Sequence, residues 1–302
     1  MADPKEIKET YDWLGDFHRA SMGDQPDITC ALYNGWDMTL EQAQQAKLDW
    51  ILRALDFESG DTILDVGCGW GPLLDKVQAQ GGRPVGLTLS PHQAAYCQGR
   101  GHLVREQNWN EALFAEGDFD GIASVGAFEH FCSIELYLAG MQEGVYKQFF
   151  KFCHDALKPG GSLFLQTMTW GRRGVPDPRK FSEDAAEGSP EKILHRLTKF
   201  YPGSWLPEGL EQIERVALPY FKLVKQNSGR LDYMRTLDDW DVRHEALRRS
   251  LRFWPIALKM LPDYVFNRND MRVKIESAFR EDQKTCFHSE IMDHRRMVFQ
   301  RL

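Results

Sequence analysis

The chain has 302 residues, with 37 Lys and Arg against 44 Asp and Glu, for a formal charge of −7. Apolar residues at 42% and charged residues at 27% are globular averages, which excludes disorder, collagen and coiled coil as the main state. A net-acidic chain has no surplus positive charge with which to displace phosphate counterions, so no nucleic-acid partner is expected.

The length suits one large α/β domain with additions. No apolar run reaches the roughly 18–20 residues of a membrane span, and MADPKEIKET lacks the apolar core of an export signal. The six cysteines (Cys30, Cys68, Cys97, Cys132, Cys153, Cys286) form no C-x-x-C pair. Reduced thiols in a cytoplasmic protein are therefore expected.

Residues 1–38 are irregular and aromatic-rich, with Tyr11, Trp13, Phe17, Tyr33 and Trp36 among polar neighbours. Thr39 and Gln42 then form a capping box ahead of Leu40, Ala43, Leu48, Ile51, Leu52 and Leu55 at helical spacing. A strand is predicted at Thr62–Val66, a helix at Pro72–Gln80, a strand at Val85–Leu89 and a helix opening at Pro91. Gly121–Val125 reads as a strand, Leu136–Leu157 as one long helix, and Leu163–Met168 as an uncharged strand. Alternation of this kind builds βαβ units with buried, near-continuous apolar strands.

After Trp170 the composition shifts to Gly, Pro and mixed charge over 171–191, an excursion from the sheet. An amphipathic stretch follows at Ile193–Phe200. Leu218–Lys225 reads as a strand, Leu237–Met260 as a helical region broken at Pro255, and Cys286–Phe299 as terminal strand material.

The chemistry begins at Asp65-Val66-Gly67-Cys68-Gly69-Trp70-Gly71, a G-x-G-x-G turn between a strand and a helix. Glycines there permit positive φ and close approach of backbone to ligand. The spacing is not the G-x-G-x-x-G of a dinucleotide fold, and Asp65 would repel a pyrophosphate. It can accept from an ammonium, so an adenosyl ligand with an amino-acid tail fits better.

Here the sequence resembles the class I S-adenosylmethionine-dependent methyltransferases, and within them the cyclopropane fatty acid synthase and mycolic acid cyclopropane synthase family. The resemblance is carried by Thr29-Cys30-Ala31-Leu32-Tyr33, the glycine loop, Val85–Ser90 with Gln93, Ser124–Phe131, Phe200-Tyr201-Pro202-Gly203, and Tyr233 with Thr236, Leu237, Asp238 and Trp240. It implies an α/β, Rossmann-like fold, with a seven-stranded mostly parallel sheet, a helical N-terminal cap and an inserted lid. As one domain, residues 1–60 would be the cap, 61–170 the donor-binding core, 171–217 the lid, and 218–302 the completion of sheet and substrate pocket.

By the same resemblance, Gly67 and Gly69 would lie against the methionine moiety. Thr88, Leu89 and Gln93 would hold the adenosine, with Trp109 beside the adenine. Thr29 and Tyr33 would close over the cofactor from the cap. The family's product-forming step is thought to use bicarbonate, which Cys30, Glu129 and Tyr233 would hold. The family's histidine is replaced here by Gln166, which can donate a hydrogen bond but brings no charge and cannot titrate.

The expected reaction is methyl or methylene transfer to an unsaturated lipid or other hydrophobic acceptor, with a small-molecule N- or C-methyltransferase as the alternative. Candidate tunnel residues are Leu194, Leu197, Phe200, Trp205, Leu210, Trp254, Ile256 and Met260. Arg172, Arg173, Arg179 and Lys180 read as a solvated lid or as a patch for an acyl carrier or membrane headgroup. His130 reads as a structural hydrogen-bonder. His288, Glu290, Asp293 and His294 match no zinc spacing, and no metal is expected.

Overall fold

The computed structural model describes residues 17–23, 26–266 and 281–302; Tyr11 and Trp13 lie outside them. One seven-stranded sheet runs in the order β3-β2-β1-β4-β5-β7-β6. Its strands are β1 (Thr62–Val66), β2 (Arg83–Thr88), β3 (Leu103–Glu106), β4 (Phe119–Val125), β5 (Leu157–Trp170), β6 (Phe221–Ser228) and β7 (Met292–Arg301). The first five are parallel, and β7 runs antiparallel to both β5 and β6. Strand order reverses between β1 and β4, and a crevice opens at the strand C-termini where such a sheet reverses.

The helices are α1 (Leu40–Ala54), α2 (Pro72–Ala79), α3 (Pro91–Gly99), α4 (Ile134–Leu138), α5 (Gln142–Ala156), α6 (Pro190–Phe200), α7 (Leu210–Ala217), α8 (Arg230–Arg248), α9 (Phe253–Phe266) and α10 (Glu281–His288). The Thr39–Gln42 capping box forms as expected and starts α1. That helix buries Leu48, Ile51 and Leu52 against Ile63 and Phe164 on one sheet face. On the other face, Phe149 and Phe150 of α5 and Ile213 and Val216 of α7 pack on Leu163, Leu165 and Phe299.

A third apolar cluster lies beyond the strand ends and roofs the crevice. Cys30 and Ala31 from the N-terminal segment meet Leu194 and Leu197 of α6, Trp205, Leu237 of α8 and Phe287 of α10. Burying such side chains contributes about 1.5–3 kcal/mol each. Arg196 of α6 also grips Asp282 of α10 with two hydrogen bonds, at 2.6 and 2.5 Å.

Several bounds shift by a few residues, β5 most, to Leu157–Trp170, and four readings change in kind. The long helix expected at Leu136–Leu157 is two, because Gly140 at φ +70° turns the chain between α4 and α5. The helical break expected at Pro255 falls earlier, between α8 and α9, and Pro255 sits in the first turn of α9, where a missing N–H costs nothing. Cys286 is in α10 rather than in a strand. Strand β3 went unread because its four residues bury only Val104, too little for a periodicity.

Candidate active site

The glycine loop forms the first wall of the crevice. Gly67 has φ +88°, and a Cβ there would lie 2.5 Å from the Ala127 Cβ, so a side chain is refused on both counts. Gly69, at φ +54°, faces open space. The N–H groups of Gly67 and Cys68 both donate to the Leu87 carbonyl, locking the loop to the end of β2. Across the loop, Thr88 Oγ1 donates to Gln93 Oε1 at 2.7 Å, so the amide nitrogen is the end that can serve a ligand. Trp109 is packed by Phe131 and Phe149, at ring separations of 5.2 and 5.4 Å. Its Nε1 is buried with no hydrogen-bond partner among the described residues.

Gly67, Gly69, Thr88, Gln93 and Trp109 line one cavity of about 230 Å³ that continues into an apolar half. There Trp170, Leu194, Leu197, Trp205, Leu206 and Met292 form the wall. Glu129 stands between the halves, on a single turn after β4. Its Oε1 accepts from the Met168 N–H at 2.7 Å, while the buried Oε2 has no partner among the described residues. Burial raises the carboxyl to about 7, so it is poised near neutrality. His130 beside it shares a 2.7 Å hydrogen bond with Ser204, and burial lowers its imidazole to about 4.

A family profile described as mycolic acid cyclopropane synthetase matches residues 1–263. The chain belongs to this family. It is 33% identical over 254 residues to cyclopropane mycolic acid synthase 3 of Mycobacterium tuberculosis, covering 80% of this chain and 82% of that protein. It is 34% identical over 252 residues to cyclopropane mycolic acid synthase MmaA2 of the same species, covering 78% and 80%. The solved structure of cyclopropane synthase MmaA2 superposes with a TM-score of 0.77 at 27% identity, over 99% of this chain and 98% of that one. Mycolic acid cyclopropane synthase CmaA1, complexed with SAH and CTAB, gives 0.76 at 27% identity and the same coverage. The protein is thus an S-adenosylmethionine-dependent methyltransferase with the Rossmann-like class I fold.

The cyclopropane-synthase residues singled out by resemblance converge unevenly. Thr29, Cys30, Gly67, Gly69, Thr88, Leu89, Gln93, Trp109, Glu129, Gln166 and Tyr233 all line the cavity. Asp65 lines a small adjoining space with Thr29, Gly67 and Gly69; its Oδ1 is buried and has no partner among the described residues, and burial with nearby Asp27 raises it to about 7. Tyr33 is not among the lining residues: its hydroxyl donates to Asp239 at 2.6 Å and its ring lies under Arg235. Among the tunnel candidates, Leu194, Leu197 and Trp205 line the wall. Leu210 packs instead on the sheet core, Trp254 is 63% exposed, and the Met260 side chain lies outside the described residues.

Of two further residues of β7, the sequence reading passed over Arg296 and weighed His294 only as a metal ligand. Arg296 is fully buried, and its guanidinium reaches Asp232, the Ala31 carbonyl, Cys30 Sγ and Gln166 Oε1. It pins the N-terminal segment and α8 to the sheet; breaking such a buried pair costs about 3–5 kcal/mol. With Gln166 Nε2 also donating to the Cys30 carbonyl, that amide ties the segment around Cys30 to β5. Burial pushes the Cys30 thiol up to about 12, so it stays protonated. The second residue, His294, lines the cavity. Period-two alternation along β7 was the available signal, since Met292 and His294 share the face of Gln166, Met168 and Trp170.

Proposed function

We propose that this methyltransferase acts on the double bond of an unsaturated acyl chain, with residues 171–217 serving as a lid over that chain. The observation that carries the reading is the continuity of one cavity from the glycine loop, past Glu129, to a wall of Trp170, Leu194, Leu197 and Trp205. The bound donor supplies an electrophilic methyl on a sulfonium with a good leaving group. The protein's residues align the acceptor and exclude water that would capture a cation. Aromatic faces of Tyr233 and Trp205 favour positive charge nearby. The relatives' names, which specify mycolic acids, support an acyl acceptor.

Bicarbonate fits this cavity poorly. No lysine or arginine is among the described lining residues, and Gln166 already bonds Cys30 and Arg296. An anion there would have no cationic side chain of that lining to bond, so no step is routed through it.

We further place the acyl source at a membrane surface of anionic lipid. On α9, Trp254, Leu258, Leu261 and Val265 follow one helix face, each more than half exposed. Arg248, Arg249 and Arg252 precede them, giving charge complementary to anionic headgroups. At about 1.5 Å per residue the helix is roughly 21 Å long, too short to span a bilayer and suited to lie in its interface. All six cysteines are free thiols, which supports a cytoplasmic location.

The test is product mass on a panel of unsaturated acyl chains in anionic vesicles, acyl carriers and amine-bearing small molecules. An acyl product heavier by CH₂ supports the reading. Methylation of a compact amine alone moves the enzyme to the small-molecule branch, and turnover indifferent to vesicle charge removes the membrane site.

A further inference from the structure

Methylating an alkene leaves a cation that must lose a proton, and the cavity must hold the acceptor for it. Resting on the acyl-alkene reading above, we propose that the His294 imidazole receives that proton directly.

His294 stands opposite Met168 in the β5–β7 ladder, and Met168 N–H is the donor that fixes Glu129. Imidazole and carboxylate therefore both line the cavity beside Met168, one from β7 and the other from the turn after β4. The His294 side chain is 2% exposed, and its Nδ1 is buried with no hydrogen-bond partner. That nitrogen is pressed on Gly229, where an added Cβ would lie 2.4 Å away. The Tyr233 ring stands edge-on at 5.2 Å, closing another side. Gly229 closes off Nδ1, so Nε2, which has no hydrogen bond among the described residues, is the ring nitrogen left for the cavity that His294 lines and the one that takes the proton.

The charge environment agrees. Arg295 and Arg296 flank it on its own strand, Lys47 acts on it from α1, and the Tyr233 ring faces it from α8; Asp232 is taken up by Arg296, and Glu129 by the Met168 N–H. Burial, Arg296, Lys47 and Arg295 keep the imidazole well below its ordinary value, hence neutral and able to accept. A weak base suffices, because a C–H bond beside a carbocation is strongly acidic.

The step balances. The carbon–sulfur bond breaks with its electrons going to sulfur, and the alkene's π electrons form the new carbon–methyl bond. The methyl C–H then gives its proton to the imidazole, and that electron pair closes the third side of a cyclopropane. The imidazolium loses the proton to solvent as product leaves.

The experiment follows products of one unsaturated acyl substrate made by the parent, His294→Gln and Glu129→Gln enzymes. Products that lost a proton gain the mass of CH₂, whereas water capture of the cation adds the mass of methanol. For His294→Gln, donor affinity and total methyl transfer should stay within about tenfold while the proton-loss fraction falls roughly tenfold or more. Glu129→Gln should slow turnover with the product ratio kept. Gly229→Ala, which pushes on Nδ1 from outside the cavity, should move the same ratio and serves if His294→Gln does not fold. An unchanged ratio in both the His294 and Gly229 variants, or a ratio governed by Glu129 instead, overturns the assignment. A parent enzyme inert toward alkenes overturns the acyl reading, and the His294 assignment with it.

Discussion

The two ends of the cavity are built by different rules. One end, the donor end of the proposed reading, comes from turns at strand ends: Gly67 and Gly69 after β1, Thr88 to Gln93 where β2 ends, and Glu129 after β4. The other, its proposed acceptor end, is assembled from Cys30, Leu197, Trp205, Tyr233 and His294, which no local pattern connects. A ligand common to many enzymes can be held by one local motif, whereas a particular acceptor requires a wall that varied segments supply.

That contrast predicts separable phenotypes. The largest effect is expected from Gly67→Val, which adds a side chain at positive φ against Ala127. Donor affinity should fall by a factor on the order of a hundred or more in calorimetric titration, a loss of about 2.7 kcal/mol. A variant binding donor normally would mean the loop is not the donor wall.

At the other end, Leu197→Ala should raise the acceptor KM roughly tenfold and lower stability by about 2–5 kcal/mol. Donor affinity should stay level; a matching fall in both would erase the distinction between the ends.

Asp65 sharpens the donor side through pH. Its carboxyl titrates at about 7 when no ligand is present, and is protonated below that. An ammonium ligand favours the carboxylate, so donor affinity should rise roughly tenfold from pH 6 to 8, with proton release on binding. Titrations of Asp65→Asn should be flat over that range; a pH response kept in the variant would assign the proton elsewhere.

The smallest effect is expected at Tyr33. Because its hydroxyl is already spent on Asp239, Tyr33→Phe should change donor affinity by less than about threefold. A larger loss would bring Tyr33 over the donor and restore the expectation drawn from resemblance.

The sequence by itself determined the alternating α/β architecture, the Thr39 capping box, the glycine loop and the family. These depend on short-range periodicity, backbone sterics and residues close in the chain. It misjudged the α4–α5 break, because the left-handed turn at Gly140 interrupts an otherwise helical pattern. Only the tertiary structure decided which apolar stripes line the cavity: Leu194 and Trp205 do, while Trp254 faces outward with the same hydrophobic character. It also decided that Arg296 secures Cys30 and Gln166 from the neighbouring strand, and that His294 enters the site. Those assignments follow from β5 pairing with β7 in one register, Gln166 opposite Arg296 and Met168 opposite His294. A slip of one residue would turn both side chains to the other face, so register, a property of the folded sheet, settles the chemistry of the acceptor end.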